Sequence, residues 1–419
     1  MMTPDLDNIL AVPTNWATTE AFIKVIGVGG GGCNAVKTMY NKGINGVDFI
    51  ISNTDGQSLE HIEGPKKIYI GEKGTGAGCD PVKGRQAATE SIEKFRKELS
   101  DKSEMVFITA GMGGGTGTGA APVIAQVARE MGKLTVGVVT IPFRDEGESY
   151  LKRALIGIRE LQKSVDSLLI IDNQKLYQIF GDMQVWEAFP RADEVLYTAI
   201  KSIADIVTTS GIINVDFADV KMVMKDSGMA IMGIGTADGP DRAARAVEKA
   251  FESPLLNDCN LQTCTGVLVN ITSGIENGIL MKELSQIMEY VNSFTGSPAK
   301  FKRGLVSDPE MGDKISISIV ATGFSINSLP QINIGDDSKV FLQSENPYTQ
   351  EMLASTTVTL EINSAAQNGD KEEEQTSIIE EYKYKVPEGK PALIIEKGSD
   401  IAKLESEPAY IRRNRKIKK

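Results

Sequence analysis

Through its first half the chain alternates short apolar runs with stretches whose apolar residues return every third or fourth position. The runs at 22–28, 47–52, 105–110, 134–141 and 167–171 are rich in Val, Ile, Leu and Phe and stop at glycine or polar residues, so they read as buried strands. Between them, 35–40, the stretch from Val82, 120–128 and 147 to about 164 read as helices. Strands and helices in strict alternation predict a parallel sheet with helices on both faces. Val195, Leu196, Ala199, Ile200, Ile203, Ala204 and Val207 then mark a largely buried helix from Asp193 to about Thr209, ended by Ser210-Gly211.

The pattern changes after Lys221. A helix at 241–251, a strand at 266–271, a helix at 281–294 and strands at 302–305 and 315–320 form a smaller α+β unit. From 325 Asn, Ser, Asp, Glu and Gln dominate, and 325–403 reads as a disordered linker. Residues 1–20 lack periodicity and carry Pro4 and Pro13, as a flexible arm does. The expected plan is therefore an arm (1–20), a first α/β domain (21–191), a central helix with its following loop (192–220), the α+β unit (221–324), the linker (325–403) and a terminal peptide (404–419).

Three glycine-rich stretches sit where strands end. Gly29, Gly30, Gly31 and Gly32 follow the first strand, with Cys33 and Asn34 behind them; residues 71–81 hold a second set that includes Ala77 and Gly78. The third and richest is Gly111-Met112-Gly113-Gly114-Gly115-Thr116-Gly117-Thr118-Gly119. A strand, a glycine loop and a helix start hold phosphate well: bare backbone comes close to an anion, and first-turn N–H groups lack intrahelical partners. Thr116 and Thr118 offer hydroxyl donors. Asn53, Thr54 and Asp55 end the second strand, either as ligand groups or as an Asx turn that caps a helix. Asp216 and Asp219, beside Asn214, are either the cap and first turn of a helix or a catalytic carboxylate pair.

Charge and cysteine content narrow the function. A net charge of −11 disfavours nucleic acid as a partner of the main body, although Arg412 to Lys419 carries six basic side chains. Four cysteines without a C-x-x-C pair, and one His, do not suggest a zinc site. No apolar run spans a bilayer and no signal-like segment opens the chain, so a reducing cytoplasm is expected.

Together the glycine stretch 111–119 and the stretch 214–220, in that order around a long helix, resemble the FtsZ family of bacterial tubulin relatives. The resemblance covers roughly 21–323 and adds the terminal peptide. It implies a tubulin/FtsZ-like fold with a Rossmann-like parallel-sheet GTPase domain, a long central helix and a smaller α+β domain. It also implies GTP and GDP as ligands, Mg²⁺, head-to-tail polymerisation and a place at the mid-cell division ring beneath the inner membrane.

Residue by residue, the resemblance puts Gly29 to Asn34 against the nucleotide, Asn53 and Asp55 near phosphates and metal, and Ala77 and Gly78 near the γ-phosphate. It assigns Pro142 and Glu146 to the ribose side and Asn173, Phe189 and Asp193 to the guanine pocket. It further implies that Asn214, Asp216 and Asp219 act on the nucleotide of the adjacent subunit and that Pro408, Tyr410, Ile411, Arg412 and Arg413 dock membrane-anchoring and regulatory division proteins. In one departure, Tyr150 stands where the family carries Arg after the Glu-Gly pair, leaving Arg144 or Arg153 to compensate. Two competing readings remain: a Rossmann oxidoreductase using NAD or FAD, from Gly27, Gly29, Gly32 and Asp48, and a nucleotide-binding scaffold that polymerises without hydrolysis.

Overall fold

The computed structural model describes residues 22–324, other than 72–73, 210, 212, 214, 254–255, 257–260 and 297, together with Asn333–Ile334 and Val340–Phe341. The arm, most of the expected linker and the terminal peptide with Pro408, Tyr410, Ile411, Arg412 and Arg413 lie outside the described residues. Asn333–Ile334 and Val340–Phe341, inside the stretch read as linker, pair as an antiparallel ladder.

The elements follow the chain as β1 (Ile23–Val28), α1 (Gly29–Lys42), β2 (Val47–Asn53), α2 (Gly56–Glu60), β3 (Lys66–Tyr69), α3 (Pro81–Glu90), α4 (Ile92–Glu98), β4 (Met105–Gly111), α5 (Thr116–Glu130), β5 (Leu134–Ile141), α6 (Glu148–Ser164) and β6 (Ser167–Asp172). Then come α7 (Leu176–Phe180), α8 (Val185–Thr208), α9 (Phe217–Met224), β7 (Gly228–Ala237), α10 (Arg242–Phe251), β8 (Gly266–Ser273), α11 (Met281–Thr295), β9 (Lys300–Ser307) and β10 (Ile315–Phe324). The main sheet has ten strands in the order β3-β2-β1-β4-β5-β6-β7-β10-β8-β9. β1 to β6 run parallel, and β10 is antiparallel to both β7 and β8.

Pleating sorts the core into two layers. Ile26 and Val28 of β1 join α5 and α6 through Ile124, Ile158 and Leu161, whereas Ile23 and Val25 join α1 and α8 through Val36, Met39, Leu196 and Ile200. All of these side chains are buried. In the second unit Arg242 is buried among its partners: it donates to both Glu283 carboxylate oxygens and to the Asn277, Gly278 and Asp313 carbonyls. A buried guanidinium is tolerable only with such full pairing.

Three elements differ from the sequence reading. The glycines at 29–32 are the opening turns of α1, not a loop before it, and Thr116 to Gly119 likewise open α5. α8 begins at Val185, two turns before the expected start near Asp193, and Glu187 supplies the acidic first-turn residue that favours a helix N-terminus. The expected boundary at 191–192 thus falls inside a helix, and residues 217–224 form a separate helix.

β7 was not foreseen, and it makes the two halves one sheet. It pairs with β6 at Ser167–Gly228, Leu168–Met229 and Leu169–Ala230. Asp166, 4% exposed, secures that junction: its carbonyl accepts from the Ser227 and Gly228 N–H groups at 2.9 and 3.1 Å, and Oδ2 accepts from Thr135 N at 2.9 Å. Arg129 at the end of α5 stands 3.6 Å from Asp166 Oδ1 and pairs with Asp226 at 2.5 Å.

α3 crosses α5 through glycine. A Cβ on Gly84 would fall 2.4 Å from the Gly115 carbonyl oxygen and 3.1 Å from Thr116 Cα. Alanine is better than glycine in a helix interior by about 1 kcal/mol, yet here the overpacking cost of about 1–3 kcal/mol outweighs it. Gly84→Ala is therefore expected to destabilise the protein, read as a lower urea midpoint; an unchanged or raised midpoint would contradict this packing.

Candidate functional site

The strands β1, β2, β4, β5 and β6 all end at one edge of the sheet, where the sequence puts its glycine and polar residues. β1 and β4 are neighbours, but α1 and α5 leave them toward opposite layers. A crevice opens at such a switch point. Its floor is backbone. Gly29 has φ +73°, and a Cβ there would lie 2.7 Å from Gly117 N. A Cβ on Gly31 would lie 3.3 Å from Gly111 Cα, and one on Gly117 2.6 Å from the Gly111 carbonyl oxygen. Gly30 and Gly114 face open space. The N-termini of α1 and α5 therefore lie together, with no side chain between their first-turn N–H groups and an incoming anion.

The hydroxyls and carboxylate at this edge are committed. Thr116 Oγ1 is 2.7 Å from Thr54 Oγ1, both buried, and Thr118 Oγ1 accepts from Gly113 N at 2.8 Å. These threonines shape the glycine turn, beyond the donor role read from sequence. Asp55 caps α2, accepting from Gln57 N, Ser58 N and Ser58 Oγ. The Ser58 hydroxyl is the leading cause of its lowered carboxyl pKa. Asp55 thus makes the Asx cap that its position offered. Asn53 is buried beside it. The loop with Ala77 and Gly78 closes one wall: Gly76 N donates to the Thr54 carbonyl at 3.0 Å, and a Cβ on Gly115 would lie 2.9 Å from Ala77 Cβ.

Beside the cradle is a cavity of about 450 Å³ lined by Gly31, Asn34, Lys37, Thr38, Asn41, Thr140, Phe143, Glu146, Asn173, Ala192, Asp193 and Leu196. Gly31 belongs to both cavity and cradle, so the two are continuous. Burial pushes the Asp193 carboxyl up to about 6. Asn173 Oδ1 is buried without a partner. Glu146 is engaged in its own turn, accepting from Phe143 N at 2.9 Å. Phe189 lies in α8 one turn before Asp193; its side chain is outside the described residues. Lys37, Thr38 and Asn41 were missed by motif reading, yet with Asn34 they make a polar face at helical spacing on α1. Thr140 and Phe143 flank the end of β5, a strand-end position that could have flagged them.

Arg153, not Arg144, reaches the glycine turn. Its Nε donates to the Gly113 carbonyl at 2.9 Å, while Arg144 bonds through its backbone N to Gln174. Pro142 is buried against the same turn. Tyr150 Oη lies 3.1 Å from Cys79 Sγ, linking α6 to the loop with Gly78.

Asp216 and Asp219 do not join this cleft. α8 carries the chain away from the cavity, and the stretch from Asp193 to Thr208 alone spans ~22 Å at 1.5 Å per residue. At its far end Asp216 caps α9, accepting from Asp219 N at 2.7 Å, and Asp219 pairs with Lys302 at 2.5 Å. Asn214 lies outside the described residues.

Comparison with known proteins fits this geometry. Residues 22–181 match the Tubulin/FtsZ family, GTPase domain, and residues 228–325 match the FtsZ family, C-terminal domain. The cell division protein FtsZ of Pseudomonas aeruginosa is 48% identical over 76% of this chain and 81% of its own length; that of Porphyromonas gingivalis is 46% identical over 75% and 70%. Among solved structures, an empty FtsZ dimer from M. jannaschii superposes with a TM-score of 0.70 at 37% identity, covering 83% of this chain and 99% of that one. CetZ1 of Haloferax volcanii shares the fold at a TM-score of 0.65 and 21% identity, over 74% of this chain and 95% of that one. Glycine cradle, adjoining cavity and sequence agree: the chain belongs to the FtsZ family of cell-division GTPases.

Proposed function

We propose that the chain binds GTP across cradle and cavity and hydrolyses it at a head-to-tail contact between subunits, forming the filaments of the division ring. The observation that carries this reading is the separation of Asp216 and Asp219 from the cleft within one chain. Carboxylates that sit beyond reach of their own nucleotide can serve a neighbour's, and a head-to-tail contact that does not close gives a filament. A structural relative that is an FtsZ dimer supports self-association. Membership of the FtsZ family removes the dinucleotide-oxidoreductase reading, and its GTPase domain removes the scaffold without hydrolysis.

In this mechanism the N–H groups opening α1 and α5 hold the phosphates, from Gly29 to Gly32 and from Gly113 to Gly119. Ala77 and Gly78 border the terminal phosphate, Asn53 the adjoining wall, and Pro142 and Glu146 the ribose. Asp193 and Asn173 face the base, whose N1–H and N2–H groups are donors that an ionised carboxylate accepts. The neighbour's Asp216 and Asp219, with Asn214, orient the attacking water and accept its proton. Among the described residues no group of three acidic, His or Cys side chains could hold a metal ion. Mg²⁺ would be held by the nucleotide's phosphates, with Asn53 and Asp55 near it as the family resemblance implies, and would offset their charge. Among the described residues no helix is long and apolar enough to cross a membrane, so the terminal peptide around Pro408, Tyr410, Ile411, Arg412 and Arg413 is the proposed link to membrane-bound partners.

Phosphate release per subunit is expected to be near zero at low protein concentration and to rise above a threshold. A constant rate per subunit at all dilutions would mean a complete site within one chain. Asp219→Ala should cut hydrolysis by about 100-fold while leaving GTP affinity within about twofold. Undiminished turnover by that variant would remove Asp219 from the mechanism.

The raised Asp193 carboxyl gives a pH signature. GTP requires the ionised form, so affinity is level above pH ~7 and declines about tenfold per unit as pH drops below about 6. Folding stability moves the other way: a buried carboxyl with a raised pKa costs stability when ionised, and that cost fades as pH falls through 6 toward the ordinary 3.8. Asp193→Asn should flatten the affinity profile and weaken GTP at neutral pH by about 1–3 kcal/mol. Calorimetric titrations across pH test this, and a flat profile in the unaltered protein would disconnect Asp193 from the base.

A further inference from the structure

The rim of the cradle carries a guanidinium whose partners are a carbonyl, a hydroxyl and a ring, none of them a carboxylate. Arg153 Nε donates to the Gly113 carbonyl at 2.9 Å, Nη1 donates to Ser149 Oγ at 2.8 Å, and Cζ stacks 4.4 Å from the Tyr150 ring centroid. Both lysines of α6 are paired with acids: Lys152 with Glu148 at 2.7 Å and Lys163 with Glu160 at 2.9 Å. The helical spacing that gives Lys152 its glutamate gives Arg153 a serine. Two hydrogen bonds leave most of the guanidinium's N–H groups available.

The contact at Gly113 has consequences for the turn. Gly113 has φ +109°, its N–H is held by Thr118 Oγ1 at 2.8 Å, and its carbonyl is held by Arg153. Both polar groups of this residue are therefore fixed. In a trans peptide the carbonyl and the following N–H point in opposite directions, so fixing the Gly113 oxygen also fixes the Gly114 N–H. Gly114 is where the turn faces open space. A cation on the oxygen side of that peptide also strengthens its N–H as a donor to an anion. Tyr150 keeps the guanidinium in place as a flat platform, and its hydroxyl lies 3.1 Å from Cys79 Sγ in the loop with Gly78.

We propose that Arg153 is a positioning residue for the nucleotide's phosphates. It presents the Gly114 N–H and supplies the positive charge of the rim, with Tyr150 as its platform. The cation that the family resemblance expects at position 150 thus arrives from one turn further along α6. The inference rests on the GTP reading above.

Its test compares GTP with guanosine, which has the base and ribose but no phosphate. Arg153→Met should weaken GTP binding at least tenfold and guanosine binding far less. Arg153→Lys, which keeps charge and a donor, should lie between this variant and the original protein. Tyr150→Leu, which removes the platform, should lose GTP affinity in the same selective sense by a smaller factor. Undiminished GTP affinity in Arg153→Met would overturn the inference, as would an equal loss of GTP and guanosine, which marks a general structural defect. Failure of the unaltered protein to bind GTP would instead sink the underlying nucleotide reading, and the inference with it.

Discussion

Everything at the nucleotide edge depends on two helix starts lying closer together than side chains permit. Gly29 against Gly117 leaves no space for a methyl group at its normal distance between the helix starts, and Gly31 against Gly111 and Gly32 against the Thr109 carbonyl seat α1 as tightly on β4. The approach brings together two sets of N–H groups without intrahelical partners. Those groups repel as like partial charges, so the arrangement asks for an anion between them. The buried Thr54–Thr116 pair and the Thr118 contact with Gly113 N hold the surrounding loops. The glycines are a steric condition of the fold first, and their chemical usefulness follows from it.

The strand framework of the first half was readable because buried parallel strands are written as continuous apolar runs. β5 has the bounds that its Val-rich pattern predicts, and β1 and β4 differ from theirs by one residue. β7 escaped because its alternating glycines, Gly233 and Gly235, break the apolar run. Those same glycines let α10 press onto it, since a Cβ on Gly235 would fall 2.0 Å from the Ala246 carbonyl oxygen. Sequence periodicity reports what a residue buries, and glycine buries backbone, which leaves no mark on a hydropathy pattern.

The candidate site was legible to a different depth in each part. The cradle announces itself through local spacing, because strand, turn and helix start are contiguous. The cavity does not, since Asn34, Thr140, Asn173 and Asp193 come from four separate elements and meet only through tertiary packing. Family resemblance supplied Asn173 and Asp193 in advance, whereas Lys37, Thr38 and Asn41 required the face of α1 to be drawn. Asp55 shows what spacing alone leaves open: the structure adds that its carboxylate holds the start of α2.

The β6–β7 ladder gives the molecule a mechanical character. β1 and β2 are joined at six positions and β4 and β5 at seven, but β6 and β7 at three. A plate under load flexes where its cross-section is least. The pairing of Ser167–Leu169 with Gly228–Ala230 is thus the narrowest of these hydrogen-bonded seams, and the two halves are held there as much by the core layers that run across it as by the ladder. Asp166 pins one end of that seam by backbone and side chain alike.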